Sequence, residues 1–199
     1  MAGILKVDQV QSDSNLSFQV AGANVAYMNS TGLQMTGGTL SLSGTTIIPA
    51  VGQIAFPATQ NASADANTLD DYEEGTWTPT IAGISSYSSQ LGVYVKVGKF
   101  VHVYGLLEFT DSGSLTALDI TNFPFTIANN SFYPVGALFP VTGFSSGAAA
   151  PVLQGTPNST QARGYYTTDS SGANYNSYNS TALASGINFE FSLSYIATA

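Results

Sequence analysis

Few side chains in this 199-residue chain could do chemistry. His102 is the single histidine, and cysteine is absent. Serine and aspartate are abundant, so a Ser-His-Asp set could be drawn from the composition. His102, however, lies between Val101 and Val103 in an alternating run, where a sheet or subunit-interface histidine is expected rather than a base. One histidine without cysteine does not make a structural zinc site. Asp65, Asp70, Asp71, Glu73 and Glu74 lie close together. Hard cations want several oxygen ligands, so calcium is one reading of this run. Two of its carboxylates could also serve glycan hydrolysis. The run lacks the glycine-containing EF-hand spacing, so a solvated, charged connector is expected, with no metal and no cofactor. Tyr165, Tyr166, Tyr175 and Tyr178 lie in a Gly/Ser/Asn/Thr-rich segment from Gln161 to Ser185. Aromatics among small polar groups can stack on sugars. They can equally be core or subunit-contact residues with their hydroxyls at the surface. Both readings stand at this point.

Composition narrows the function classes. Charged residues make up only 8%, so Ser, Thr, Asn, Gln and Gly must cover the surface, and the propensities favour strands and turns over helices. Net charge is -8, with Lys6, Lys96, Lys99 and Arg163 as the basic residues. No basic stripe exists to displace counterions from phosphates, which argues against a nucleic-acid partner. The same charge opposes binding to an anionic membrane. No apolar run is long enough to span a bilayer, and Met1-Ala2-Gly3 opens no signal-peptide pattern, so synthesis in a cytoplasm is expected.

The elements that would position these groups fall into three parts. Residues 1–15 hold one loosely alternating stretch in which Ile4, Leu5, Val7 and Val10 are apolar, ending in the turn cluster Ser12-Asp13-Ser14-Asn15. A lone strand is not stable. It is read as a foot that augments a partner's sheet edge, the alternative being a disordered terminus. Residues 16–67 are read as a stalk and linker. Short apolar alternations at 16–20, 25–28, 33–35, 40–42 and 47–48 are each closed by Gly, Asn or Ser turns. One copy buries too little apolar surface to offset its chain entropy, whereas three copies about one axis could share a core. Hairpins packed on the rest of the same chain are the alternative.

Residues 68–199 are read as a head. Gly92–Val97 and Phe100–Tyr104 alternate on either side of Gly98-Lys99, a β-hairpin. Val93, Val95 and Val97 are read as one face with Val101 and Val103. The opposite face is read as Tyr94, Lys96, Phe100, His102 and Tyr104. Further strands are expected at 118–120, 123–127, 135–139, 151–153, 164–166 and 187–196. Their spacing without a helical period implies an antiparallel sandwich or jelly roll. The expected class is therefore all-β: a foot, a β-rich trimeric stalk and a C-terminal antiparallel β-sandwich, jelly-roll-like head.

The run Asp70-Asp71-Tyr72-Glu73-Glu74-Gly75-Thr76-Trp77-Thr78-Pro79 resembles the opening of the C-terminal domain of many tailed-phage fibre and virion-surface proteins. The blocks at 92–109, 118–125 and 188–199 resemble the same domain in the same order. The opening around Lys6-Val7-Asp8 resembles the N-termini of phage fibre proteins. The resemblance implies a virion-surface role, a homotrimer and no catalytic residues. Two uses fit it. One is a capsid decoration, cement or head-fibre protein held on capsid subunits through residues 1–15. The other is a tail-fibre tip that binds a host surface glycan or receptor. The shortness of the chain favours the first.

Overall fold

The computed structural model describes residues 16–20, 23–29, 32–35, 56, 59, 67–110, 115–145, 147, 149–168 and 175–198. Ile4, Leu5, Val7 and Val10 lie outside the described residues, as do the alternations at 40–42 and 47–48. The chain divides into two compact units, Met1–Ile54 and Ala55–Ala199. All strands in both are antiparallel, and the described residues contain no helix.

In the first unit, β1 (Leu16–Val20), β2 (Ala23–Asn29) and β3 (Gly32–Met35) form a three-stranded meander in the order β1-β2-β3. The strands fall where short apolar alternations are separated by Ala-Gly-Ala-Asn and Asn-Ser-Thr-Gly. Such turn clusters interrupt strands because Gly and Asn accept the positive φ that tight turns need.

The second unit is one ten-stranded sheet. Its strands are β4 (Tyr72–Trp77), β5 (Thr80–Ile81), β6 (Ser89–Val97), β7 (Phe100–Phe109), β8 (Asp119–Thr121), β9 (Val135–Phe144), β10 (Ala149–Gly155), β11 (Ala162–Thr167), β12 (Asn176–Ser177) and β13 (Leu183–Ile196). The order is β4-β6-β7-β13-β9-β10-β11-β8-β5, with β12 paired to β11. The two ends of this path, β4 and β5, are joined by Thr78-Pro79 alone. Trp77 and Thr80 are therefore at most about 11 Å apart, three Cα steps. A ten-stranded sheet with its ends that close must curl on itself. Hydrogen bonds stitch the seam: Gln90 Nε2 donates to the Pro79 carbonyl at 2.9 Å and Asn122 Nδ2 to the Thr78 carbonyl at 2.8 Å.

The curl encloses one core. Val101, Val103, Leu107 and Phe109 of β7 face it, with Ile187, Phe189, Phe191 and Leu193 of β13 opposite Ile120, Phe123, Ile127 and Leu153. Trp77 lies directly opposite Gly92 in the β4–β6 ladder. Its indole packs edge-on against Phe123 at 5.0 Å and Phe191 at 6.1 Å. A side chain at position 92 would occupy the indole's place, since a Cβ there would lie 2.5 Å from Trp77 Nε1.

Two expectations change. Residues 123–127 form no ladder strand. Pro124 lacks a donor, Phe123 N donates to the Thr160 carbonyl at 3.0 Å and Ile127 N to the Ser159 carbonyl at 2.9 Å, and the pairing of Ile127 with Ala197 is an isolated bridge. The faces of the hairpin also differ. Val101 and Val103 are buried, whereas Val93, Val95 and Val97 are exposed and Tyr94 and Lys96 point inward. The reason is register. A two-residue turn sets Val97 opposite Phe100 and Val95 opposite His102, and directly opposed residues share a face. Gly98 permits that turn by taking φ 56°.

Candidate functional site

Directly opposed residues on the outside of β4, β6, β7 and β13 form rows across the sheet. Tyr72, Val97, Phe100 and Ile196 make one; Glu74, Val95, His102 and Ser194 the next; Thr76, Val93, Tyr104 and Ser192 a third; Leu91, Leu106 and Glu190, continuing to Phe139 on β9, a fourth. Large apolar side chains in these rows stand open to solvent, Leu91 at 62% and Phe139 at 65% exposure. Sheet faces toward water ordinarily carry polar residues alternating with the buried ones. Here the outward positions of β6 are Leu91, Val93, Val95 and Val97, and β7 adds Phe100 and Tyr104, so this face is suited to cover by protein. Charges are sparse on it. The Tyr72 hydroxyl donates to Glu74 at 2.8 Å. The Glu190 carboxylate lies by the Tyr104 hydroxyl and holds that phenol's pKa above its ordinary value.

His102 belongs to this surface, its Nδ1 at 2.9 Å from Ser194 Oγ across the β7–β13 ladder. The pair stands on an open sheet face. A nucleophilic serine also needs donors aimed at the developing oxyanion in a water-excluded site, which a flat face does not supply. Gly143-Phe144-Ser145-Ser146-Gly147 spells a Gly-x-Ser-x-Gly pattern. It runs out of β9 toward β10, an antiparallel connection, whereas the nucleophile elbow needs a strand followed by a helix.

The four tyrosines part company. Tyr165 and Tyr175 line a surface cleft of about 350 Å³ with Val135, Val152 and Gln154. The cleft is apolar-walled with an amide at its edge. Beside it, Arg163 forks onto Asp119, Nε to Oδ1 at 2.6 Å and a terminal nitrogen to Oδ2 at 2.7 Å. Arg163 sits between Gln154 and Asp119 in the ladder. The hydrogen bonds it donates to Asp119 raise the guanidinium's pKa further. Tyr166 and Tyr178 turn the other way. Their rings stack at 4.6 Å, and Tyr178 also meets Phe144 edge-on at 5.0 Å. Tyr178 is fully buried and its hydroxyl has no hydrogen-bond partner. Burial, helped by Tyr166, pushes that phenol up to about 12. Tyr178 therefore belongs to the core and cannot stack on an external sugar. Tyr165 and Tyr175 can.

The acidic run is more than a solvated connector. Strand alternation sends Glu74 outward and Glu73 inward, to the side of Asp71 and Lys96. Glu74 faces solvent, while Asp71 is buried against Lys96. Glu73 accepts from the Tyr94 hydroxyl at 2.5 Å, a contact that pushes the phenol up to about 12. Among the described residues, no group of three or more His, Cys, Asp and Glu is placed to hold a metal. The sequence pattern groups Lys96 with Phe100, His102 and Tyr104 on one face, whereas the structure sets it opposite Val101 on the inner one. Its inward position was legible in the parity of the two-residue turn, as was the outward face of valines.

Compared with protein-family models, curated proteins and solved structures, the chain matches none.

Proposed function

We propose that this chain is a non-enzymatic structural protein of a phage virion surface that acts as a homotrimer, with capsid decoration, cement or head fibre as its place. The observation that carries the reading is the exposed apolar face of β4, β6, β7 and β13. Its large side chains, with Phe139, offer on the order of 700 Å². That exceeds the patch an ordinary monomer leaves open and approaches the roughly 800 Å² per partner of a stable interface. The occupant is a second copy of the chain. A face this poor in charge gives a differently charged partner nothing to steer on. Within this reading the head is a jelly-roll-like sandwich, the segment 16–67 is a trimeric stalk, and Ile4, Leu5, Val7 and Val10 mount the particle on capsid or tail subunits. Three mounts per particle make weak single contacts sufficient.

A tail-fibre tip that binds a host surface glycan is the second reading. The cleft of Tyr165 and Tyr175 beside Gln154 and the Arg163–Asp119 fork favours it, since sugars are held by aromatic faces and planar hydrogen-bonding groups. Sedimentation of the purified chain should give the mass of three copies, and a monomer at micromolar concentration would remove the trimer. Electron microscopy of virions labelled with antibody to residues 68–199 then separates the two placements. Label over the capsid shell supports decoration, label at the tail supports the fibre tip, and unlabelled virions would overturn both. Deletion of residues 2–14 should abolish incorporation and leave the melting of the second unit intact.

A further inference from the structure

Lysine and aspartate side chains are almost never fully buried unless paired. Lys96 and Asp71 are each only 4% exposed, and they are in contact, Nζ against Oδ2. The Lys96 nitrogen also lies 5.3 Å from the centre of the Phe125 ring. Asp71 is pinned from behind, because its carbonyl accepts from Gly98 N at 2.9 Å at the tip of the β6–β7 turn. Glu73 is the residue directly opposite Lys96 in the β4–β6 ladder, on the same inner face. Its carboxylate takes the Tyr94 hydroxyl at 2.5 Å. A lysine amine and an aspartate carboxyl are thus buried in contact beside an aromatic ring, and a second, half-buried carboxylate stands opposite the lysine on the same face.

We propose that this corner is a self-modification site, in which Lys96 and Asp71 join through an intramolecular amide bond. In a low-dielectric site the ion pair is costly. Moving one proton from Nζ to the Asp71 carboxylate leaves a neutral amine facing a neutral carboxyl group. The Nζ lone pair then forms a bond to Asp71 Cγ. Glu73 takes a proton from the nitrogen and returns one to the departing hydroxyl, which leaves as water. The new bond is Nζ–Cγ and the broken one is Cγ–O. No oxidant or second reactant is needed, and Glu73 ends as it began. The fixed contact supplies the high effective concentration that an uncatalysed amide bond lacks, and the second carboxylate supplies the proton transfer. The Tyr94 hydroxyl holds Glu73 in place for it.

The position suits such a bond. Asp71 directly precedes β4, which stands at one end of the sheet path and is bonded to β6 alone. A pull through the preceding residues would peel β4 from β6 one hydrogen bond at a time. An amide between 71 and 96 puts a covalent stop at the first rung.

Mass spectrometry of the purified full-length chain tests this without any variant. The expected result is a mass lower than the sequence by one water, with a branched peptide joining the segments that carry Asp71 and Lys96. A chain at its full sequence mass overturns the proposal. So does a water loss that maps to a linear peptide or persists in Lys96→Met, since an aspartate can lose water by closing on its own backbone. In Glu73→Gln the bond should form at least tenfold more slowly in freshly folded protein. Formation at the unchanged rate would remove Glu73 from the step.

Discussion

Val95→Asp distinguishes a face buried between copies from a face left in water. Val95 sits between Glu74 and His102 in the second row of the outer face and is 40% exposed in the single chain. If a second copy covers it, about 60 Å² more apolar surface is removed from water, near 1.5 kcal/mol at the usual area coefficient. The aspartate forfeits that gain. It also places an unpaired carboxylate beside Glu74, a buried charge costing roughly 3 kcal/mol or more. Together about 4.5 kcal/mol is lost per contact, more than a thousandfold in the association constant. In an uncovered chain the same exposed substitution stays within about 0.5 kcal/mol. Sedimentation velocity of both proteins over a dilution series provides the reading. The trimer of the wild type should give way to monomers in Val95→Asp, with the second unit's β-rich circular dichroism unchanged. Val95→Thr, of similar shape, should remain trimeric. If Val95→Asp assembles like the wild type, the face is not the interface, and the functional proposal loses the observation that carries it.

Three further expectations follow from the interior and the cleft. Gly92→Ala drives a methyl into the Trp77 indole and should cost about 1–3 kcal/mol by overpacking; denaturant melts followed by the fluorescence of that single tryptophan measure it, and an unchanged midpoint would mean that the indole does not lie over Gly92. Tyr94 and Tyr178 are held protonated to about 12 in the folded chain, against an ordinary 10.0, by Glu73 and by burial respectively. Tyr195 is raised by burial as well. Above pH 10 the unfolded chain therefore binds fewer protons than the folded one, so stability present below pH 10 should be lost as the pH rises through 12, and phenolate absorbance should appear in step with unfolding; full titration of all tyrosines near pH 10 in the folded protein would contradict this. Tyr165→Ala should weaken any sugar found to bind the chain by about tenfold, as loss of one aromatic platform does, whereas Tyr133→Ala, at an exposed position that does not line the Tyr165 cleft, should leave it unchanged; equal losses in a glycan-binding assay would move the site elsewhere.

How far the chain could be read without its fold differs from element to element. Alternation of β-branched and aromatic residues between turn clusters placed β1, β6, β7 and β13, because a side-chain period of two is a local property of the extended backbone. Residues 16–20 were marked by Leu16-Ser17-Phe18-Gln19-Val20 and are β1. The same local rule misplaced 123–127. Apolar composition there reflects burial of Phe123 and Ile127 in the core, and Pro124 denies the ladder that burial suggested. The inner and outer faces of the hairpin depended on one integer, the length of the Gly98-Lys99 turn. That integer is present in the sequence but is outweighed by the pull to bury every valine.

Composition and local pattern by themselves determined an all-β chain of short strands, with no basic stripe for nucleic acid. They did so because charge and propensity are sums over residues, indifferent to their partners. Tertiary structure alone decided which residues meet across long separations. The curl of the sheet follows from β4 and β5 taking opposite ends of one path with two residues between them. The contact of Lys96 with Asp71 and the division of Tyr165 and Tyr175 from Tyr166 and Tyr178 follow from which side of that curl each residue faces. A strand's two faces are chemically equivalent until the sheet closes around a core, and only closure tells them apart.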